Sequence, residues 1–356
     1  MKIALITDTH WGVRSDAPIF HDYNKNFLDE VFFPHLEKNN IKTIVHLGDM
    51  FDRRKYINFQ TANRIREDFL QPISDKGFKF HIIAGNHDIY YRNTNKINAI
   101  RELIDGRYNF HIYDDVATEV IFDNTKVLLI PWICDENYEK SMNNIKNTDA
   151  QIAFGHLEIQ GFEMYKGSIV SHGHDRRIFE NFDIVLSGHY HHRSTDGCIS
   201  YLGCHSEFTW ADYDDPKGFH VFDTETRELA FIENPYKMFA KIWYNDAGKT
   251  FDEAVLKFDY EQYRNRIVKV IVSNKDNPYW FDNFIERLQH VDPQDLQIVE
   301  DHLNLNMEDD ENIVNEAEDT LSIFRGFIKQ IQSESIDKEQ LNVIITELYN
   351  EAITLE

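Results

Sequence analysis

Five apolar runs, each stopped by a polar cluster, set the rhythm of the first half of the chain: residues 2–7 (KIALIT), 42–47 (KTIVHL), 79–84 (KFHIIA), 150–154 (AQIAF) and 182–187 (FDIVLS). Branched and aromatic residues with little polar alternation predict strands buried on both faces. The stops are Asp8-Thr9-His10, Gly48-Asp49, Gly85-Asn86-His87-Asp88, Gly155-His156 and Gly188-His189-Tyr190-His191. Polar side chains placed repeatedly at strand ends converge on one edge of a sheet, where open α/β architectures put their ligand crevice. Four of the five stops carry glycine before the first polar residue, which allows a tight turn and close backbone approach.

Between the runs, residues 59–70 (FQTANRIREDFL) and 96–105 (KINAIRELID) space their apolar positions as helices do. Phe59, Ala62, Ile65 and Phe69 are expected to pack on the sheet. CISYLGCHSEFTW and KGFHVFDTETRELAFIE predict further strands and a hairpin. Near Asn234-Pro235 the character changes. MFAKIWY, RIVKVIVS and LQIVE read as strands, FDEAVLKF and WFDNFIERL as helices, so a small second α/β domain is expected. Residues 302–312 (HLNLNMEDDEN) have a linker's composition. Beyond them, Leu321, Phe324, Ile328 and Ile331 predict one amphipathic helix, and Leu341, Ile344, Ile345 and Leu348 a second, after an Asp337-x-x-Gln340 capping signal. A hairpin this short cannot bury both stripes alone. It docks on the chain's own body or on a partner.

The five stops supply seven nitrogen and oxygen ligands: Asp8, His10, Asp49, Asn86, His156, His189 and His191. Carboxylate, amide oxygen and imidazole suit hard divalent ions, and seven are too many for one tetrahedral zinc. The set fits two ions sharing a carboxylate, with Asp49 as the natural bridge, and the reaction class is phosphoester hydrolysis. A lone Gly-Asp or Gly-His carries almost no information; five in order do. His192 follows His191 directly and is read as an outer-sphere or substrate-side residue. His172 and His174 imitate a ligand pair but lack the strand-glycine context and are read as loop residues. His21, His35, His46, His81 and His111 are read as surface or packing histidines. Arg53, Arg54 and Lys55 either touch substrate phosphates or form a solvated basic turn.

In order and spacing, these motifs resemble the calcineurin-like metallophosphoesterase signature: D-x-H, G-D-x-x-D, G-N-H-D or E, G-H and G-H-x-H. The resemblance implies an α/β fold, a β-sandwich flanked by helices. It also implies that Asp8, His10, Asp49 and His191 hold one metal, and Asp49, Asn86, His156 and His189 the other. His87 would then be free to stabilise charge or protonate the leaving oxygen, worth ~10² to 10⁴-fold, with Asp88 orienting it. YLGCHSEF resembles the family's substrate-side loop. Catalytic core, small domain and terminal helix pair together resemble the SbcD-type nuclease subunits of double-strand-break-repair nuclease and ATPase complexes, and the compact length resembles the T-even bacteriophage recombination endonuclease subunits. By that resemblance, residues 1–235 are a nuclease domain, 236–301 a capping domain that positions DNA, 302–312 an acidic linker and 313–356 the helix pair that holds an SMC-like ATPase. The helices at 59–70 and 96–105 would form a homodimer interface, and the two ions would be manganese. A duplex exonuclease and single-strand endonuclease is expected.

Two rivals are weaker. GNHD and GDMFDRR stand where Ser/Thr phosphatases carry GNHE and GDxVDRG, and the added C-terminal domains do not suit a minimal phosphodiesterase. A scaffold that only organises the ATPase on DNA would not need an intact ligand set.

Composition changes the picture in two ways. The formal net charge is −24, and residues 276–356 hold 20 acidic against 4 basic residues. Affinity for DNA rises with phosphates neutralised by Lys and Arg, so this chain needs metals and a basic partner to hold DNA. Cys134, Cys198 and Cys204 form no CxxC pair and fit thiols in a reducing compartment. No apolar run approaches the ~20 residues of a membrane span, and Lys2 leads straight into the first strand without a signal peptide. A cytoplasmic protein is expected, in the host's cytoplasm if phage-encoded.

Overall fold

Each apolar run is a strand whose successive side chains point to opposite faces and are buried on both. Ile3 and Leu5 turn one way, Ala4 and Ile6 the other, and all four are at most 1% exposed. The structure, a computed structural model, describes residues 1–300 and Leu341. Two six-stranded sheets form. The first runs Leu229–Glu233, Gly218–Asp223, Lys2–Ile6, Thr43–His46, Lys79–Ile83, His111–Tyr113. The second runs Ser194–Asp196, Ile199–Tyr201, Ile184–Gly188, Ile152–His156, Thr125–Ile130, Thr118–Phe122. In both, parallel pairs carry the motifs, and antiparallel strands flank them.

The sheets share a core. Ile3, Leu5, Val45 and Ile83 of the first meet Val127, Leu129, Phe154 and Leu186 of the second. The outer face of the first sheet, with Ala4, Ile44 and Phe80, is covered by Phe27, Phe32, Ile65 and Phe69. That of the second, with Ala153 and Val185, is covered by Ile145 and Phe179. Helix, sheet, sheet, helix is the expected sandwich. All five motif strands end at the same edge of it.

The helices depart from expectation in three places. Residues 18–38 are helical throughout (Pro18–Phe27, Leu28–Phe32, Phe33–Lys38), although no helix was expected there. In this helix and in the one from Phe59 to Asp75, a widened turn comes just before a proline: Leu28–Phe32 before Pro34, and Arg66–Leu70 before Pro72. A proline ring collides with the carbonyl four residues earlier, and opening that turn relieves the collision. Residues 96–98 belong to a strand, Thr94–Asn98, and the helix is Ala99–Ile104. Asn98 caps it by accepting from the Arg101 N–H at 2.8 Å. Finally, Ile65 and Phe69 pack as expected, but Phe59 is 94% exposed.

A second compact unit comprises, among the described residues, 241–258, 269–284 and 297–300. Three strands, Phe239–Asn245, Ile267–Asn274 and Asp295–Glu300, lie side by side in that order, with the helix Pro278–His290. Within this unit Tyr244 meets Phe281 and Phe284 at 4.9 and 5.1 Å. Asp246 accepts from the Asp276 and Asn277 N–H groups at 2.7 and 2.9 Å. The expected domain was continuous over 236–301, whereas residues 236–240, 259–268 and 285–296 group with the first unit. The linker, from residue 302, and the helix pair lie outside the described residues, apart from Leu341, which is helical. Among the described residues no helix is long and apolar enough to cross a membrane.

Candidate metal centre

Where the strands end, the backbone is strained. Asp8, His10, Asp49 and His189 have φ of 51°, 42°, 51° and 87°, a left-handed region that non-glycine residues enter at a cost of about 1–3 kcal/mol each. The Asp8 N–H bonds to the Gly48 carbonyl at 3.0 Å and the His10 N–H to the Asp49 carbonyl at 3.1 Å, fixing the first two motifs side by side. Asp8 accepts from the Thr7 hydroxyl at 2.6 Å and from the His189 N–H at 3.1 Å, joining the first sheet to the second. Glycine is required by contact. A Cβ on Gly85 would stand 2.2 Å from Asp49 Oδ1, and one on Gly188 2.0 Å from Thr7 Oγ1.

Two ligand groups result. One atom each from Asp8, His10 and His191 lie within 4.8 Å of one another, as do atoms from Asp49, His156 and His189. In the first group His10 Nε2 and His191 Nε2 face each other at 3.1 Å. In the second, His156 Nε2 is 3.2 Å from Asp49 Oδ2 and 3.0 Å from Asn86 Oδ1. His156 Nδ1 donates to the Leu47 carbonyl at 2.7 Å, which aims Nε2 at the group. All seven predicted ligands are therefore brought together, four from the first sheet's motifs and three from the second's.

The charges suit cations. Burial, then the neighbouring imidazoles His87 and His191, hold His10 well below its ordinary value; burial also lowers His189, and it brings His191 to about 4. Neutral imidazole is the ligating form. Burial alone would raise Asp49, yet His156 and His87 hold it well below the usual carboxylate range, while Asp49 lifts His156 to about 9 against its own burial. A cation taking this place displaces that proton. Buried nitrogens His10 Nδ1, His189 Nε2 and His191 Nδ1 have no hydrogen-bond partner. Donor types and the uncharged rings of His10, His189 and His191 fit a divalent pair.

The other predicted residues divide. His87 reaches the centre, with its ring 5.0 Å from that of His10 and its main-chain N–H donating to Asp49 Oδ1 at 2.7 Å. Asp88 does not orient it: its carboxylate accepts from the Gly85 and Phe51 N–H groups at 2.9 and 3.1 Å, and His87 Nδ1 donates to the Asp52 carbonyl at 2.6 Å. Burial, then Asp49, push Asp88 up to about 7. Arg53 pairs with Asp16 at 2.8 Å and lies over the Tyr56 ring. Arg54 is half-buried with Nη1 unpartnered, and Lys55 is exposed. His192 donates from Nδ1 to Asp215 Oδ1 at 3.0 Å.

YLGCHSEF is buried throughout, and its Phe208 packs its ring 5.7 Å from His10 and 6.0 Å from His191, beside the first ligand group. Sequence reasoning missed the charges behind the ligands. Asp52, Glu158 and Asp212 stand behind His10, His189 and His191, and Lys217, 2% exposed, holds Asp212 and Asp215 at 2.9 and 2.7 Å and the His191 carbonyl at 2.8 Å. Asp52 closes the G-D-x-x-D motif, but no motif marks Glu158, Asp212 or Lys217; a lysine in the apolar surroundings of residues 216–222 was the one available signal.

Residues 1–193 match the calcineurin-like phosphoesterase family. The chain is 33% identical over 354 residues to the exonuclease subunit 1 of Enterobacteria phage T4, covering 99% of each. It is 22% identical over 383 residues to the SbcD component of the nuclease SbcCD of Staphylococcus epidermidis, covering 97% of each. Similarity to the DNA double-strand break repair protein Mre11 of Sulfolobus acidocaldarius is 25% over 206 residues, 55% of this chain and 51% of that protein.

Proposed function

We propose, because this chain belongs to the calcineurin-like phosphoesterase family, that it is a metal-dependent DNA nuclease subunit. It removes nucleotides from duplex ends, cuts single strands, and acts with an SMC-like ATPase in double-strand-break repair and recombination. The observation that carries this reading is end-to-end similarity to a phage exonuclease subunit, combined with two convergent groups of three ligands and Asn86 beside His156. Asp8, His10, Asp49 and His191 would hold one ion, and Asp49, Asn86, His156 and His189 the other, with manganese as the metal. When bound, such a pair activates water and polarises the phosphoryl oxygen. His87, its Nδ1–H spent on the Asp52 carbonyl, keeps Nε2 as the nitrogen that can carry a proton to the leaving oxygen. Arg54 and Lys55 lie beyond the Asp49 motif, free for substrate phosphates; Arg53, already paired, steadies their loop. His192 faces substrate from the opposite motif.

The domain roles extend this reading. Residues 1–235 cut, 236–301 position DNA, 302–312 link, and 313–356 hold the ATPase. Exposed Tyr56 and Phe59, beside and on the 59–70 helix, support a homodimer formed there. The test is incubation with manganese and end-labelled duplex, with and without a candidate SMC-like ATPase from the same source. Release of nucleotides, extended along the duplex by ATPase and ATP, is expected. Hydrolysis of bis-nitrophenyl phosphate without any cleavage of DNA would favour a stand-alone phosphodiesterase instead.

A further inference from the structure

The three unpartnered imidazole nitrogens share a geometry. Each faces a carboxylate oxygen just beyond hydrogen-bond reach: His10 Nδ1 and Asp52 Oδ1 at 3.7 Å, His189 Nε2 and Glu158 Oε1 at 3.8 Å, His191 Nδ1 and Asp212 Oδ1 at 3.9 Å. His156, whose Nδ1–H is satisfied by Leu47, needs none. An imidazole that ligates through one nitrogen carries its proton on the other, and a carboxylate facing that proton fixes the tautomer and strengthens the ligating nitrogen.

We propose that Glu158 and Asp212 are positioning residues, each setting the affinity of one ion: Glu158 acts through His189, and Asp212 through His191. This rests on the ligand assignment above.

The two carboxylates are held differently. Asp212 is fully buried. Its Oδ2 accepts from the Phe208 and Thr209 N–H groups at 3.0 and 2.9 Å, and Lys217 sits on its Oδ1. His191, Cys204 and Asp212 could themselves make a metal group, but the Lys217 ammonium already supplies the cation beside Asp212. That clamp leaves Asp212 one orientation, toward His191. Glu158 is partly exposed, and its Oε1 is also 3.2 Å from Nε2 of His172, in the SHGH segment that imitates a ligand pair. Its carboxylate is shared between a buried imidazole and an exposed one. The first clamp is a fixed part of the core, whereas the second depends on the 170–174 loop keeping its place.

The test titrates the metal-stripped full chain with manganese by calorimetry, reading the affinity of each of two binding steps. Glu158→Gln should weaken one step about 10- to 100-fold and leave the other unchanged. Asp212→Asn should do the same to the other step. Glu158→Asp, which keeps the charge, should recover part of the loss. Asp212→Asn also disturbs the Lys217 pair and can unfold that loop, so Glu158→Gln, at a partly exposed position, decides the matter. If Glu158→Gln shifts neither step, or both equally, the proposal is overturned. Asp49→Ala separates it from the underlying assignment. Loss of both ions in that variant upholds the ligand set, so a null result with Glu158→Gln would then count against the outer carboxylates alone. Two ions retained in Asp49→Ala would sink the ligand assignment itself.

Discussion

The Nδ1–H of His87 is held by the main-chain carbonyl of Asp52, 2.6 Å away. The ring orientation is thus set by backbone and survives side-chain changes at Asp52 or Asp88. His87→Asn should keep both ions and lower turnover on DNA by ~10² or more. Near-normal rates in manganese would move the proton-donating role to another imidazole, with His192 first in line.

Gly188 lies where the second sheet's last motif strand touches Thr7 and Asp8. A methyl group there overlaps the Thr7 hydroxyl and approaches Asp8 Oδ2 at 2.9 Å, so Gly188→Ala must push the two sheets' motifs apart. It should cost about 1–3 kcal/mol of stability and weaken metal binding far more than that stability loss explains. Wild-type affinity by calorimetry would show that the contact is easily relieved.

Lys217 is buried against two carboxylates. Lys217→Met leaves Asp212 and Asp215 in the interior without their counter-charge, and loss of one partner from a buried ion pair costs about 3–5 kcal/mol. Urea denaturation should show a loss of that order. A loss under about 1 kcal/mol would mean that water reaches the cluster.

Phe59 stands on the helix face away from the sheet. Phe59→Glu should change monomer stability by no more than about 0.5 kcal/mol. Sedimentation should nevertheless shift toward the monomer. An unchanged sedimentation profile would remove Phe59 from the dimer contact, and a large drop in melting temperature would return it to the core.

What could be read from the sequence was what is local in it. Asp8, Asp49, Asn86, His156, His189 and His191 each follow an apolar run that is buried for its own reasons, so strand and ligand announce each other within a few residues. The helix over residues 18–38 was hidden because Pro34 reads as a stop, although Phe27, Leu28 and Phe32 line one core face. It continues because a widened turn absorbs the ring. Phe59 illustrates the reverse error, since helical spacing tells which residues share a face but not where that face ends. Asp88 was misplaced because adjacency suggested a partner for His87 that the backbone bonds of Gly85 and Phe51 had already taken. Glu158 and Asp212 left no mark in the sequence, and Lys217 left only its place in an apolar stretch. Lys217 reaches His191 across 26 residues of chain, and all three act through contacts that only the closed sandwich creates.

The first sheet delivers Asp8, His10, Asp49 and Asn86 to the centre, and the second delivers His156, His189 and His191. Ions bound there would therefore work as rivets, closing a seam between the two sheets at the edge where the motif strands end. Their free energy of binding adds to the folded state as RT ln(1 + [M]/Kd). Chelation should then lower the unfolding temperature, and amide exchange should quicken first at the tips of the Lys2–Ile6, Thr43–His46 and Ile184–Gly188 strands while the deep interior between the plates stays closed.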